Sequence, residues 1–157
     1  MGYTRAKHLV LRRNQKTHGR FYLFLPYEVN HGRVHWAFYP GKGAEYVCRF
    51  LKRVRQWYPR QTVRIALDCD PAHPIKAKAT RRMMRQLRLH WTSMPKASPD
   101  DNPVETIFSD IQQNILDNSD DPDAGATQHR ISNHLRARNR RSDRFICIGY
   151  LENTHKH

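Results

Sequence analysis

The chain has 157 residues, 38% of them hydrophobic and 10% aromatic, enough for one domain with a real core and too few for two comfortable ones. The aromatic content excludes a disordered tail, no apolar run approaches the roughly 18 residues of a membrane span, and the first residues carry no apolar segment of a secretion signal. A formal net charge of +14 favours polyanionic partners through counterion release.

Cys48, Cys69 and Cys147 are widely spaced and form no C-x-x-C pair, which fits a reducing cytosol better than a disulfide framework. The charge is unevenly spread. Residues 1–67 hold 14 Lys/Arg against two acids, whereas residues 100–123 hold eight acids and no Lys/Arg.

Residues 7–12 alternate weakly around Leu9 and Leu11 and predict a short strand, followed by a polar basic turn over 13–19. Residues 21–25 are apolar throughout and predict a strand that Pro26 limits. Asn30-His31-Gly32 is a turn signal, and residues 33–39 then alternate with Val34, Trp36 and Phe38 on one face, so the two strands predict a hairpin. Pro40-Gly41-Lys42-Gly43 breaks the pattern. A helix is expected over 44–58, with Tyr46, Val47, Phe50, Leu51, Val54, Trp57 and Tyr58 in one stripe and Arg49, Lys52, Arg53 and Gln56 opposite. Pro59 ends it.

Residues 63–67 predict a short buried strand, residues 75–87 a basic helix and residues 89–92 another strand. Residues 102–116 predict a helix with Val104, Ile107, Phe108, Ile111 and Ile115 on one face. The acidic stretch 117–123 reads as an exposed loop, residues 128–138 as a helix, and residues 144–150 as a final strand or a packed tail. The order predicts an α/β fold, a mixed sheet with helices on both faces.

The residues that could carry chemistry sit at two element ends. Asp68 follows Leu67 at the carboxyl end of a strand, where ligand crevices form in open α/β sheets. It suits a metal or phosphate-directed role; capping the next turn is the alternative. Asp70 ranks below it. Asn102-Pro103-Val104-Glu105 is a capping box, yet a carboxylate in a first turn can also face a metal. Cys69 and His73 lack the second ligand pair of a structural zinc site, so His73 is expected to hydrogen-bond a carboxylate or the backbone. The basic helix, with Lys76, Lys78, Arg81, Arg82, Arg85 and Arg88 spread over more than one face, suits phosphate contact, as do Arg136, Arg138, Arg140 and Arg141. A solvated surface is the alternative for both groups. Nucleotide-binding and serine-hydrolase motifs are absent.

Together these segments resemble the catalytic domain of IS630-type transposases, in the IS630/Tc1/mariner group of DDE enzymes. The residues that carry the resemblance are Leu67-Asp68, His73 and Lys76, then Pro95-Lys96-Ala97-Ser98-Pro99-Asp100-Asp101-Asn102-Pro103-Val104-Glu105 leading into Ile107-Phe108-Ser109-Asp110-Ile111. Gly32-Arg33-Val34-His35-Trp36 and Trp57-Tyr58-Pro59 resemble the family's hairpin and first helix, so the likeness spans roughly residues 20–116.

The resemblance implies an RNase H-like fold, an antiparallel meander followed by alternating helices and parallel strands. Residues 1–123 would form the catalytic domain and residues 124–157 a basic C-terminal helix and tail. It implies metal-dependent strand cleavage and strand transfer at transposon ends, with Asp68 and Glu105 holding Mg²⁺ or Mn²⁺ and His73 and Asn102 supporting them. Transposon-end and target DNA are the implied partners, with a homodimer on DNA, no membrane, and a bacterial cytoplasmic, nucleoid-associated setting.

Two departures shape the expectation. The family's first Asp lies in a strand ahead of the segment matching 21–25, and here no Asp or Glu precedes Glu28, itself a poor substitute. Residues 7–12 are either that strand with its acid lost or the basic stretch that follows it. The family's Asn after the second Asp is replaced by Cys69. The expectation is therefore an N-terminally truncated catalytic domain, weak or inactive by itself. The alternatives are a non-enzymatic RNase H-like nucleic-acid-binding module or decayed remnant, and an unrelated domain in which Asn102 and Glu105 only cap a helix.

Overall fold

The computed structural model describes residues 9–10, 19–67, 76–93, 103–117, 119–141 and 143–144. Its first sheet is antiparallel, with β1 (Leu9–Val10), β2 (Tyr22–Phe24) and β5 (Ala37–Tyr39) in the order β1-β2-β5. Between β2 and β5, β3 (Tyr27–Glu28) pairs antiparallel with β4 (Arg33–Val34). The pairs run from Tyr22↔Tyr39 through Phe24↔Ala37 to Tyr27↔Val34 and Glu28↔Arg33, advancing one residue on each side throughout. The four strands are therefore one hairpin in one register.

The second arm, expected to be continuous over 33–39, is interrupted at His35-Trp36. The cause is Pro26 opposite, which has no N–H to return a ladder bond. One bond survives there: the His35 N–H donates to the Pro26 carbonyl at 3.1 Å. The tip closes as the turn signal predicted, with Gly32 at φ 65 and its N–H donating to the Glu28 carbonyl at 2.9 Å.

This hairpin is buried on both faces, which explains why residues 21–25 are uniformly apolar. Phe21, Leu23, Leu25 and Val34 enter one core with Val104, Ile107, Phe108, Ile111, Ile115, Ile131 and Leu135. Tyr22 and Phe24 enter the other with Val47, Leu51, Val54, Met84 and Leu89. Trp36 and Phe38 pack on the first core, as the alternation with Val34 predicted.

Helix α1 (Ala44–Trp57) covers the second face, burying Val47, Leu51 and Val54, and Pro59 follows its end. Strands β6 (Val63–Leu67) and β7 (Leu89–Ser93) pair in parallel from Val63↔Leu89 to Leu67↔Ser93. Helix α2 (Lys78–Gln86) connects them and buries Thr80 and Met84. It starts later than the expected residue 75, after Ala77, whose side chain cannot cap. Arg55 binds α1 to α2: its guanidinium donates to the carbonyls of Tyr58, Gln61, Leu87 and Arg88 at 2.7–2.9 Å.

The first face is covered by α3 (Pro103–Ile111), continued by a π-helical turn (Gln112–Leu116), and by α4 (Ala124–Arg140). The apolar stripe of α3 and its turn is the one expected. Helix α4 is longer than the expected 128–138, because Asp123 caps it by accepting from the Ala126 N–H at 2.8 Å. Just before it, the buried Asp121 accepts from Ser119, Thr127 and Arg130. Burial raises the Asp121 pKa, but those hydrogen bonds outweigh it and hold the group below the usual carboxylate range. At its far end, α4 clamps the hairpin: the Asn139 amide exchanges both bonds with the Val34 backbone, at 2.9 and 2.8 Å. The strand or tail expected over 144–150 lies outside the described residues, apart from Arg144.

Candidate functional site

The parallel β6–β7 pair sets the frame of the site. Leu67 and Ser93 are register partners, so both strands end together at their carboxyl ends. Asp68 follows Leu67 directly in the chain. With Cys69, Asp70, His73 and Asn102 it lies outside the described residues, so neither the Asp68–Glu105 pairing nor the capping box is on view.

Glu105 is described. It occupies the third position of α3, between the buried Val104 and the fully buried Ile107. Its backbone is fixed by that packing. Its carboxylate oxygen Oε1 is buried and has no hydrogen-bond partner among the described residues. An unsatisfied buried acceptor costs about 1–3 kcal/mol, and more if charged, so such an atom calls for a partner. A hard divalent cation bound by carboxylate oxygens would be one. Among the described residues alone, no three His, Cys, Asp or Glu side chains gather to hold a metal.

The basic residues are placed more clearly. Lys78, Arg81, Arg82 and Arg85 are all exposed on α2. Their i, i+3, i+4, i+7 spacing puts these four on one face. Thr80, Met83, Met84 and Leu87 repeat the same spacing on the buried face. Lys76 is exposed just before the helix. At the end of α4, Arg138, Arg140 and Arg141 differ. Arg138 is half-buried, donates to the carbonyls of Gly32 and Arg144, and lies over the Tyr27 ring. Arg141 pairs with Asp143 at 2.6 Å, and Arg140 is exposed.

One titratable cluster escaped the sequence pattern. The Glu28 carboxylate is bonded by His31 and Tyr58, and the Tyr58 hydroxyl is bonded by His35 Nε2 at 2.6 Å. His35 also stacks on Trp57, with centroids 4.5 Å apart. Burial raises the Glu28 pKa, but the bonds from His31 and Tyr58 and the nearby imidazoles bring it below its ordinary value. Burial lowers His35; Glu28 opposes that shift and Arg33 adds to it. Burial and the bond to Glu28 raise Tyr58. The four residues come from the hairpin and the end of α1, and no local spacing joins them.

The meander, the βαβ unit and helices on both faces define an RNase H-like fold. The catalytic core domain of BIV integrase shares it, at 20% identity and a TM-score of 0.57, over 90% of this chain and 93% of that one. So does a chain of the simian T-cell lymphotropic virus intasome in complex with PP2A regulatory subunit B56 gamma, at 14% identity and a TM-score of 0.51. That match covers 79% of this chain and 45% of the other. At such identities the likeness is one of fold. The family model for DDE superfamily endonucleases matches residues 4–126, and the chain belongs to that family. The superfamily generally uses divalent metal ions. No curated protein matches the chain. Among the described residues, no helix is long and apolar enough to cross a membrane.

Proposed function

We propose that this chain is the catalytic domain of an IS630-type transposase, which cleaves DNA strands at transposon ends and joins them to target DNA. Within a DDE endonuclease family, the finer assignment rests on the phrase Pro95 to Glu105 and on Leu67-Asp68. The observation that carries it is Oε1 of Glu105 at the start of α3, buried and without a hydrogen-bond partner among the described residues.

Asp68 and Glu105 would hold Mg²⁺ or Mn²⁺, Asn102 would orient Glu105, and His73 would hydrogen-bond a ligating carboxylate. The bound ion supplies charge neutralisation for displacement at phosphorus by water or a DNA 3′-hydroxyl. Glu105, set on a packed helix, would be pre-positioned to hold the ion. Lys76, Lys78, Arg81, Arg82 and Arg85 would position the phosphate backbone, with Arg140 and then Arg138 and Arg141 at the end of α4. The setting is a bacterial cytoplasm, on nucleoid DNA, with two copies assembled on the DNA ends. The chain by itself is expected to be weak or inactive in catalysis.

Metal binding tests the assignment without needing activity. In Mn²⁺ titrations followed by calorimetry, Glu105→Gln and Asp68→Asn should each weaken binding at least about tenfold. Unchanged affinity in Glu105→Gln would sink the metal site.

A second reading is a DNA-binding module without metal chemistry. It is favoured by the state of Glu28, the acid nearest the start of the chain, whose carboxylate is engaged by His31 and Tyr58, and by β1, which offers only Leu9 and Val10. It predicts salt-sensitive DNA binding that neither a chelator nor Glu105→Gln alters.

A further inference from the structure

We propose that the outer edge of β7 is the surface through which two copies of this chain pair, β7 against β7, antiparallel and centred on Trp91. This deepens the proposed pairing of copies, which so far has no surface assigned to it.

The backbone comes first. Among the described residues β7 pairs with β6 and with no other strand, so the N–H and C=O groups on its far side face no ladder partner there. Such an edge is a template for another strand, and folded proteins blunt it with charge, proline, a bulge or short length. β7 has none of these. Leu89-His90-Trp91-Thr92-Ser93 holds no Lys, Arg, Asp, Glu or Pro, in a chain with 27% charged residues. Its register with β6 runs unbroken from Val63↔Leu89 to Leu67↔Ser93. By contrast β5, the end strand of the first sheet, is three residues long and follows the break at His35-Trp36.

The side chains agree. His90, Trp91 and Thr92 are consecutive and all exposed, so both faces of the strand are open at this edge. Trp91 is 42% exposed, although Leu89 on the same face is buried in the core with Met84 of α2 and its register partner Ile65 is half-buried. With Val29 it is one of two large exposed hydrophobics among the described residues.

A second copy fits because the strand complements itself. Antiparallel pairing about Trp91 sets Trp91 opposite Trp91, His90 opposite Thr92 and Leu89 opposite Ser93. Directly opposed side chains share a face, so the two indoles meet on one face, and on the other each imidazole meets a hydroxyl. No charged side chain of the strand enters the joint. The contact is isologous and closes at two copies. Arg55 holds the Leu87 and Arg88 carbonyls at 2.9 Å, which fixes where β7 begins and leaves little to order on pairing. What opposes pairing is the net charge of +14 on each copy, and salt screens that repulsion. Self-association should therefore tighten with salt, the reverse of DNA binding.

The test is sedimentation equilibrium of the full chain, free of DNA and metal, from about 0.1 M to about 1 M salt, over which the Debye length falls from about 10 Å to about 3 Å. A monomer–dimer equilibrium that tightens with salt is expected. W91K, which places a charge at the centre of the edge, should weaken it at least about tenfold, and W91F should retain it. Hydrogen exchange of the wild type needs no variant to fold: the amides of residues 89–93 should gain protection as protein concentration rises. A chain that stays monomeric, a dimer that W91K leaves intact, or exchange over 89–93 that ignores concentration overturns the proposal. So does protection of those amides by added DNA in a chain that stays monomeric, which would give the edge to nucleic acid. Pairing is measured without DNA or metal, so its failure leaves the transposase reading standing; Glu105→Gln, which tests that reading through Mn²⁺ binding, should leave pairing unchanged.

Discussion

Glu28 is held between two histidines and a tyrosine, and the consequence is a pH-dependent stability. The folded state depresses the pKa of His35 below the ordinary value of about 6.5. Below that value the unfolded chain binds more protons than the folded one, so the contribution is complete above about pH 6.5 and is lost as the pH falls toward the folded pKa. Thermal unfolding from pH 7.5 to pH 5 should show a falling midpoint, with a flatter profile in His35→Gln; an identical profile in that variant would count against the assignment. Nothing in the sequence announced this cluster, because Glu28, His31, His35 and Tyr58 meet only after the hairpin folds onto α1. Glu105 was easier to find, since its phrase is contiguous. What the sequence withheld was its environment: a capping box and a metal ligand look alike in the sequence, and only the structure gives the burial of Oε1.

Elements were legible where apolar periodicity marked them and obscure where an end was set by one side chain. The stripes of α1 and α3 were plain from 3.6-residue spacing. The start of α4 was hidden because Ala124-Gly125-Ala126-Thr127 has no apolar rhythm, and its cap, Asp123, sits in an acidic run that reads as a loop. The single strand expected over 33–39 was broken by the absence of an N–H at Pro26, a defect that lies on the other arm. Between elements, Arg55 stands out, since one guanidinium serves four carbonyls from the ends of α1 and α2 and the turns after them. Arg55→Lys keeps the charge but cannot fork to that geometry. Chemical denaturation should show a loss of about 1–3 kcal/mol, and near-neutral stability would mean the clasp is redundant.

On the scale of the whole molecule, a two-sided hairpin joins two cores, and α4 belongs to one of them as fully as α3 does. Ile131 and Leu135 are completely buried beside Val34 and Ile107. Ile131→Ala should therefore destabilise the entire domain by about 2–5 kcal/mol, in one cooperative transition. A separate early transition would instead make α4 an appendage. The α/β class and helices on both faces followed from element order; the sharing of odd and even hairpin residues between cores did not, because apolar runs carry no sidedness. That sharing has a consequence for how such a chain can change. Substitutions along residues 21–28 alter one core at a time, but inserting or deleting a single residue would exchange the two sets of side chains wholesale. Length variation among relatives should accordingly fall in the tip over 29–32, and within the arms only in steps of two.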